Sequence, residues 1–533
     1  MADDFRPMAS GKHPICTLSR RHFIGGLGVA AGGWVSRPLA VGQTPGAAKG
    51  AAQAPGLQRP AQLSSLDTRA KIALELNGHL QLAAGDDPKA AAAAGAEVRG
   101  KSTLDYLEKI ALADAADTQR SQPVAAARRY VQAEVEHWIA GKTSRNKLRP
   151  DCVETRWHPH QGLWQQYCPH VPLDAREVQL LQSPINSAAL ELLLPTDTAV
   201  LGSRWNIRAE DAQQVFNLDA VHRTTLEATY EKLEQGVASV QLKGVLTATA
   251  NSVPTRLEIQ GNLQASRGRE SWLVTWLAVV IDEQRQVSQS EPGFDITARV
   301  RLIRQESQNQ LSVSDDTLRG LTQLEDEGLW LVRLHSTAGR YSMLADRRWH
   351  IHRDSPEEAI LRMVENNTII AQCAISRLSG LEAGQQLTLE GLQADIRRSL
   401  GDTFRDFLES SEKVTANKLR MLRTTVTGQV DGVPIQWIYI HLSDDSGRRL
   451  ALVYTMGGNV TDRFGAADEQ MAMSFEWPAD PAASDSPPAT AASTPPAATA
   501  ASAAPPPSAP KSDSKNASKS ASKNASRNTA PRR

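Results

Sequence analysis

The 533-residue sequence predicts an α+β protein with two ordered regions. Apolar and polar residues alternate with period two through residues 65–306, which predicts a curved antiparallel β-sheet with a half-barrel-like shape. Residues 328–477 combine closely spaced strand-like runs with a stretch of helical periodicity. That combination predicts a second domain of the α/β type.

The strands of the first region show their alternation most clearly near its start. In K-I-A-L-E-L-N-G-H-L-Q-L the side chains of Ile72, Leu74 and Leu76 share one face, as expected for a strand with one buried side. W-L-V-T-W-L-A-V-V-I at 272–281 is apolar on both faces and predicts a central strand covered on both sides. With ten residues it is far shorter than the ~20 residues that span a bilayer as a helix.

Three glycines predict that these strands are bent. E-L-N-G-H-L-Q at 75–81 recurs as E-I-Q-G-N-L-Q at 258–264, and L-K-G-V-L at 242–246 is a shorter echo. Gly78, Gly261 and Gly244 therefore each lie in mid-strand, with apolar residues two positions to either side. Glycine weakens a flat strand but permits a bend or a close approach of another chain segment. Bends at similar positions favour a curved sheet made of two related halves, and coincidence in leucine-rich strands is the alternative.

Short helices are predicted to lie over one face of this sheet. Asp174 stands three residues before Glu177, a capping-box arrangement, and a second short helix is predicted over 209–216. A long curved sheet with short helices is similar to the half-barrel carriers that ferry lipoproteins across the bacterial periplasm. The similarity is architectural and implies that an apolar ligand or lipid lies in the concave face of residues 65–306.

The second region predicts one principal helix among its strands. The apolar residues at helical spacing are Leu389, Leu392, Ile396, Leu400, Phe404 and Phe407. The order of strands, with G-R-Y-S-M-L-A-D-R-R-W and the pair W-I-Y-I-H-L and A-L-V-Y-T, resembles the PsbP-like fold of extrinsic photosystem proteins and actinobacterial envelope lipoproteins. This resemblance covers about 150 residues and implies an α/β/α sandwich with an antiparallel sheet over residues 328–477. It also implies binding or assembly rather than catalysis, and it carries over no functional residue.

The N-terminus predicts export. S-R-R-H-F-I resembles the twin-arginine (Tat) signal peptide of bacteria, although Gly25 departs from its pattern. The residues that match the signal are Ser19, Arg20, Arg21, Phe23 and Ile24. A weakly apolar run follows, and cleavage after Ala40 makes residues 1–40 the signal peptide. The alternative is a disordered basic N-terminus of a cytosolic protein.

The remaining segments are predicted to be linkers. Residues 41–64 form a flexible linker, 307–327 connect the two ordered domains, and 478–533 form a disordered Ala/Pro/Ser-rich tail with a basic end. The tail is a candidate for contact with anionic lipid or wall polymer, and a solubilising extension is the alternative. The chain has 59 basic and 59 acidic residues, so no overall field points to nucleic acid as a specific partner.

Residues 152–170 contain the densest cluster of chemically versatile side chains. The cluster comprises Cys152, His158, His160, Cys168 and His170. A hairpin that turns near residue 161 brings Cys152 opposite Cys168, and an oxidising compartment favours a disulfide between them. Free thiols and a zinc or copper site remain as alternatives, although the spacing matches no familiar metal site.

No catalytic signature is present in the sequence, which contains no G-x-S-x-G, phosphate-binding or dinucleotide-binding motif in the required context. The leading hypothesis is therefore an exported, non-enzymatic protein of the periplasm or cell surface. It would bind or assemble an unknown envelope protein or an apolar ligand, with no cofactor, no metal, and no transmembrane segment in the mature chain. The alternatives are the carrier described above and a metal-dependent enzyme at residues 152–170.

Overall fold

The alternating pattern at the start of the first region does form a long strand, and similar strands dominate the protein. The computed structural model describes residues 56–60, 65–81, 95–113, 122–160, 163–268, 271–288, 293–307, 311–321, 327–382 and 384–477. Of these described residues, 59% are in strands and 16% are in helices. The predicted signal peptide and C-terminal tail lie outside the described residues.

Thirteen strands of the described chain form one antiparallel sheet. The first fourteen strands are β1 (Ser65–Gln81), β2 (Gly95–Leu112), β3 (Pro123–Ile139), β4 (Lys142–Lys147), β5 (Glu154–His160), β6 (Leu163–Tyr167), β7 (Leu173–Asp174), β8 (Arg204–Asn206), β9 (Ala220–Thr224), β10 (Glu227–Glu234), β11 (Val237–Ala250), β12 (Val253–Arg267), β13 (Trp272–Arg285) and β14 (Gly293–Glu306). All but β7 belong to this sheet, whose order is β6-β5-β3-β2-β1-β14-β13-β12-β11-β10-β8, with β4 on β3 and β9 on β11. The first and last long strands are therefore direct neighbours.

The three mid-strand glycines lie where neighbouring strands approach closely, as predicted. A Cβ atom on Gly78 would stand 2.1 Å from the backbone oxygen of Asp295 on β14. Gly261 would meet the backbone oxygen of Ala278 at 2.2 Å, and Gly244 is equally crowded by backbone. Because real Cβ atoms do not approach so closely, each position requires glycine for packing against the adjacent strand.

A mostly irregular segment covers the buried face of this sheet. It contains α1 (Ala175–Leu181), a 3₁₀ helix (Ser187–Leu193) and α2 (Ala209–Val215). The predicted capping box is confirmed, since the side chains of Asp174 and Glu177 each bond the backbone of the other residue. Leucines along the 3₁₀ helix are almost completely buried against the sheet core, so the chain itself fills this face.

Buried ion pairs fix the covering segment to the sheet. The Arg128 guanidinium donates to Glu108 at 2.6 Å, and the Ser187 hydroxyl donates to the same carboxylate at 2.8 Å. Arg304 pairs with Glu191 and donates to the backbone oxygen of Ser187 at 2.7 Å. Charges this deeply buried require complete partnering, so these contacts specify where the 3₁₀ helix lies.

Two smaller sheets complete the described chain. Their strands are β15 (Val332–Ser336), β16 (Tyr341–Ala345), β17 (Trp349–Asp354), β18 (Glu358–Glu365), β19 (Thr368–Leu378), β20 (Phe404–Val414), β21 (Arg420–Val430), β22 (Val433–Ser443) and β23 (Arg449–Gly457). One sheet has the order β16-β15-β7, with β7 and β15 parallel, and the other has the antiparallel order β17-β18-β19-β23-β22-β21-β20. Residues of the large and the seven-stranded sheet share one continuous hydrophobic core. The predicted domain boundary at 307–327 stays a prediction.

Helices are short throughout the part of the chain that the structure describes. The α-helices not yet named are α3 (Asp315–Gly320), α4 (Leu389–Leu400), α5 (Thr461–Phe464) and α6 (Ala467–Met473), and three further 3₁₀ helices are Pro150–Cys152, Glu327–Trp330 and Gly401–Thr403. Among the described residues, no helix has the length and apolar character needed to cross a membrane.

The predicted fold class is wrong. The protein is β-rich with large antiparallel sheets, and is neither an α+β protein nor a PsbP-like sandwich. One cause is that the helical spacing predicted a helix as far as Phe407. In the structure α4 ends at Leu400, the next residue Gly401 has a φ of +50°, and Phe404 begins a strand. Register shifts in β20 place Phe404 and Phe407 with their rings 4.8 Å apart, so a bulged strand imitates helical spacing.

Candidate functional site

A cleft of about 430 Å³ opens where the β5–β6 hairpin meets the segment that covers the large sheet. Its walls come from the beginning of β3, from both strands of the hairpin, from the turn after α1, and from α2 with the turn that follows it. Arg347, from the loop between β16 and β17, also lines the cleft. Regular elements thus supply most of the walls.

Amide side chains dominate the polar lining. Six glutamines line the cleft: Gln122, Gln165, Gln166, Gln182, Gln213 and Gln214. Asn217 and Asn251 add two more carboxamides, and Trp157 and Trp164 supply two indole rings. The charged lining residues are two acids, Glu210 and Asp219, and one base, Arg347. The surface is therefore rich in uncharged groups that both donate and accept hydrogen bonds.

The two tryptophans are held by the hairpin. Trp157 on β5 is 4% exposed, and the guanidinium of Arg128 lies 4.0 Å from its ring centre, a cation–π contact. Trp164 is half-buried on β6, in register with Pro159 on β5. Because Arg128 is itself bound by a buried carboxylate, the position of the first indole is set by the sheet.

Three buried polar atoms of the lining residues have no hydrogen-bond partner within the described chain. They are the indole nitrogen of Trp157, the side-chain oxygen of Gln166 and the side-chain nitrogen of Asn251. Gln166 is 1% exposed, and its amide nitrogen donates to the backbone oxygen of Val178 at 3.1 Å. Leaving such groups unpaired costs about 1–3 kcal/mol each. Because all three atoms are closed to solvent, a polar molecule in the cleft would reach them only after a local shift of the lining.

The basic side chain of the cleft is already engaged. Arg347 donates from Nε to the backbone oxygen of Trp330 at 3.1 Å, and from Nη2 to the backbone oxygen of Gln166. Asp219 accepts a 2.6 Å hydrogen bond from the backbone N–H of Ser252. A cleft lined by one tethered guanidinium and two carboxylates is not suited to an anion.

The predicted cysteine pair lies beside the hairpin. Cys152 precedes β5 and Cys168 follows β6; both are buried, and both thiols are free in this structure. A hydrogen bond between the two thiols raises the pKa of Cys152 and lowers the pKa of Cys168. The hairpin therefore brings the pair together as expected, and the disulfide itself stays a prediction.

Two histidines of the same cluster pack on a tryptophan, and the third, His170, lies near Cys168. His158 and His160 pack on Trp330, with ring centroids 4.7 and 4.3 Å away, and His170 is exposed. Burial lowers the pKa of His158. Within the described ranges, no group of three or more His, Cys, Asp or Glu side chains is arranged to hold a metal ion.

The predicted signal residues lie outside the described part of the chain, and the sequence analysis did not predict the cleft residues. Ser19, Arg20, Arg21, Phe23, Ile24 and Ala40 lie outside the described residues. A signal for the cleft was present in W-Q-Q at 164–166 and A-Q-Q at 212–214, two pairs of glutamines, one beside a tryptophan. Glutamines in a sequence normally indicate a solvated surface. These two pairs indicate a site only once the structure shows that β6 and α2 line the same cleft.

Comparison with known proteins identifies no family. No family model matches the chain, and no curated protein matches it. A crystal structure from Bacteroides thetaiotaomicron VPI-5482 is 11% identical over 27% of this chain and 48% of that chain, with a TM-score of 0.20. Lipovitellin, described for its lipid–protein interactions, is 10% identical over 48% of this chain and 27% of that chain, with a TM-score of 0.26.

A third solved structure is similar over a greater length and at a lower score. The translocator domain of the autotransporter NalP from Neisseria meningitidis is 8% identical over 74% of this chain and 88% of that chain, with a TM-score of 0.10. The chain spans less than half the length of the first two structures that it matches. Similarities this weak support no inference about function.

Proposed function

We propose that this chain is an exported, non-enzymatic envelope protein with a binding role, and that the cleft beside the β5–β6 hairpin is its binding site. The observation that carries the proposal is the set of buried, unpartnered polar atoms on Trp157, Gln166 and Asn251 in one cleft. A concave surface with a few convergent polar groups and aromatic walls is the usual form of a ligand site.

The frame around these atoms is held by strand pairing and by ion pairs. Trp157 and Gln166 are directly opposite each other in the β5–β6 ladder. In α2, the Asp211 carboxylate forms ion pairs with Arg208 and Arg59. Groups held by a ladder and by buried ion pairs lose little freedom when a ligand arrives. Pre-organisation of this kind is what converts hydrogen bonds into affinity.

The carrier of an apolar ligand remains a second proposal with less support. An apolar pocket bordered by Leu66, Ile110 and Leu192 lies under the 3₁₀ helix, but its volume is only about 20 Å³. That is space for roughly one water molecule. A lipid in this place would have to displace leucines that are now buried against the sheet.

The proposal is tested by capture from intact bacterial envelope. The full chain is compared with a Trp164→Ala variant, and with Trp205→Ala as a matched control, because Trp205 is also half-buried but does not line the cleft. We expect Trp164→Ala alone to lose the captured molecule. Equal capture by all three proteins would refute the cleft as the binding site.

Two parallel measurements test the rest of the proposal. Removal of residues 478–533 should reduce capture only if the basic tail contacts lipid or wall polymer. Replacement of Arg20 and Arg21 by lysine should leave folded protein in the cytoplasm. Normal export of that variant would refute the twin-arginine route.

A further inference from the structure

We infer that the cleft binds an uncharged saccharide, a short oligosaccharide or the end of a longer glycan. This inference rests on the proposed binding function and names the class of ligand. It follows from the chemistry of the lining: two indoles, eight carboxamides and no free cationic group offered to the ligand.

The indole rings match the faces of sugar rings. A pyranose presents patches of C–H groups on its faces and hydroxyl groups at its rim, so it packs its apolar face on an aromatic ring while the rim stays polar. Trp164 is half-buried on β6, and Trp157 is held from below by Arg128. Trp164 is therefore the ring that offers a stacking face, because Trp157 is 4% exposed and is covered by Arg128.

The carboxamide side chains are suited to hydrogen-bond the hydroxyl groups at the rim of a sugar ring. A hydroxyl group donates one hydrogen bond and accepts others, and a carboxamide also does both, so the two pair in either direction. The unpartnered atoms ask for both roles: Gln166 needs a donor for its oxygen, whereas Trp157 and Asn251 need acceptors for their N–H groups. Adjacent hydroxyls of one sugar can satisfy donor and acceptor requirements together.

The same atoms weigh against a proline-rich peptide, which also stacks on tryptophan. Proline has no backbone N–H, so it supplies acceptors to Trp157 and Asn251 but no donor to Gln166. An anion is disfavoured because Glu210 and Asp219 outnumber Arg347, whose guanidinium already bonds two backbone oxygens. Size agrees as well: about 430 Å³ lies in the range of roughly 300–1,000 Å³ that small-molecule sites occupy.

The test titrates the full chain with chitotriose, cellotriose, maltotriose and a decaproline peptide, followed by isothermal calorimetry and tryptophan fluorescence. We expect at least one trisaccharide to bind, and decaproline not to. Trp164→Ala should weaken saccharide binding about tenfold or more, since stacking on a ring is lost. Gln214→Ala should weaken it less, and Gln241→Ala, exposed on β11 and away from the cleft, should leave it unchanged.

Urea unfolding of each variant identifies any loss of binding that comes from loss of folding. A folded protein that binds decaproline and no trisaccharide would overturn the saccharide inference. Saccharide binding that survives Trp164→Ala would overturn the placement in this cleft. Cleft-dependent capture from envelope without any saccharide binding would overturn the inference about ligand class and leave the proposed function standing, whereas absence of both would overturn both.

Discussion

Acid is expected to destabilise the seven-stranded sheet through one buried imidazole. His441 on β22 is 0% exposed, and neither of its ring nitrogens makes a hydrogen bond to another residue of the described chain. Burial, reinforced by the nearby charges of Arg449 and Arg420, lowers its pKa from 6.5 to about 4. Replacement of His441 by leucine, a side chain of similar size, removes the titrating group and its two unbonded nitrogens.

The sign and size of the effect follow from this shift. The unfolded chain takes up a proton at His441 below pH 6.5, whereas the folded chain resists protonation until about pH 4. The stability contributed by the neutral ring is therefore present above pH 6.5 and is lost as the pH falls toward 4. At about 1.36 kcal/mol per pKa unit, the loss approaches about 3 kcal/mol.

The assay is urea unfolding between pH 7.5 and pH 4, compared for the native chain and His441→Leu. Other groups titrate equally in both proteins, so the difference in unfolding free energy isolates the imidazole. We expect the variant to be the more stable, by a margin that grows by about 3 kcal/mol toward pH 4. His79→Leu, whose ring is exposed on β1, is the control and should follow the native curve. A margin that does not change with pH would refute the reasoning.

Three further predictions concern stability. Arg128→Met leaves a buried carboxylate without its partner and should cost about 3–5 kcal/mol in urea unfolding, whereas Arg129→Met, next in sequence but paired at the surface, should cost less than about 1 kcal/mol. Gly78→Ala puts a methyl group against backbone and should cost roughly 1–3 kcal/mol in the same assay. Protein purified without reductant should yield a linked Cys152–Cys168 peptide, and reduction should lower the unfolding free energy by about 3 kcal/mol, the value for a loop of about 15 residues.

Each of these has its own contradicting result. Equal costs for the two arginine variants would show that the buried pair is not what holds the covering segment. Gly320→Ala, where a Cβ meets nothing within 4 Å, is the control for Gly78→Ala, and equal effects would remove the crowding explanation. An unlinked 152–168 peptide from oxidised protein would exclude the disulfide.

Local features of the fold were predictable because they depend on near neighbours. Period two placed β1 around Ile72, the Asp174–Glu177 spacing located the start of α1, and Gly78 marked a close approach. Strand pairing was not predictable, since nothing local to Thr68 reveals that it lies opposite Glu306. Three-residue spacing is ambiguous wherever a bulge is allowed, which is why Phe404 and Phe407 misled the prediction of a longer helix.

The candidate site was hidden for a related reason. Gln165 and Gln214 are 49 residues apart, and each is an ordinary polar residue in its own segment. They line one cleft because the tertiary structure brings the hairpin and α2 together, and local sequence does not encode that contact. The prediction at residues 152–170 included the hairpin that lines the cleft. It selected the Cys and His residues for their chemistry, however, and did not select Trp164 on the same hairpin.

The pairing of β1 with β14 has a consequence for synthesis of the chain on the ribosome. Thr68 meets Glu306 across the ladder, so about 240 residues must be translated between the two partners. At roughly 5–20 residues per second this takes about 12–48 s, during which one edge of a 17-residue strand has no partner. Translation of an mRNA truncated before codon 306 would give a fragment in which this edge of β1 is not fully paired with β14. An unpaired strand edge is a template for aggregation.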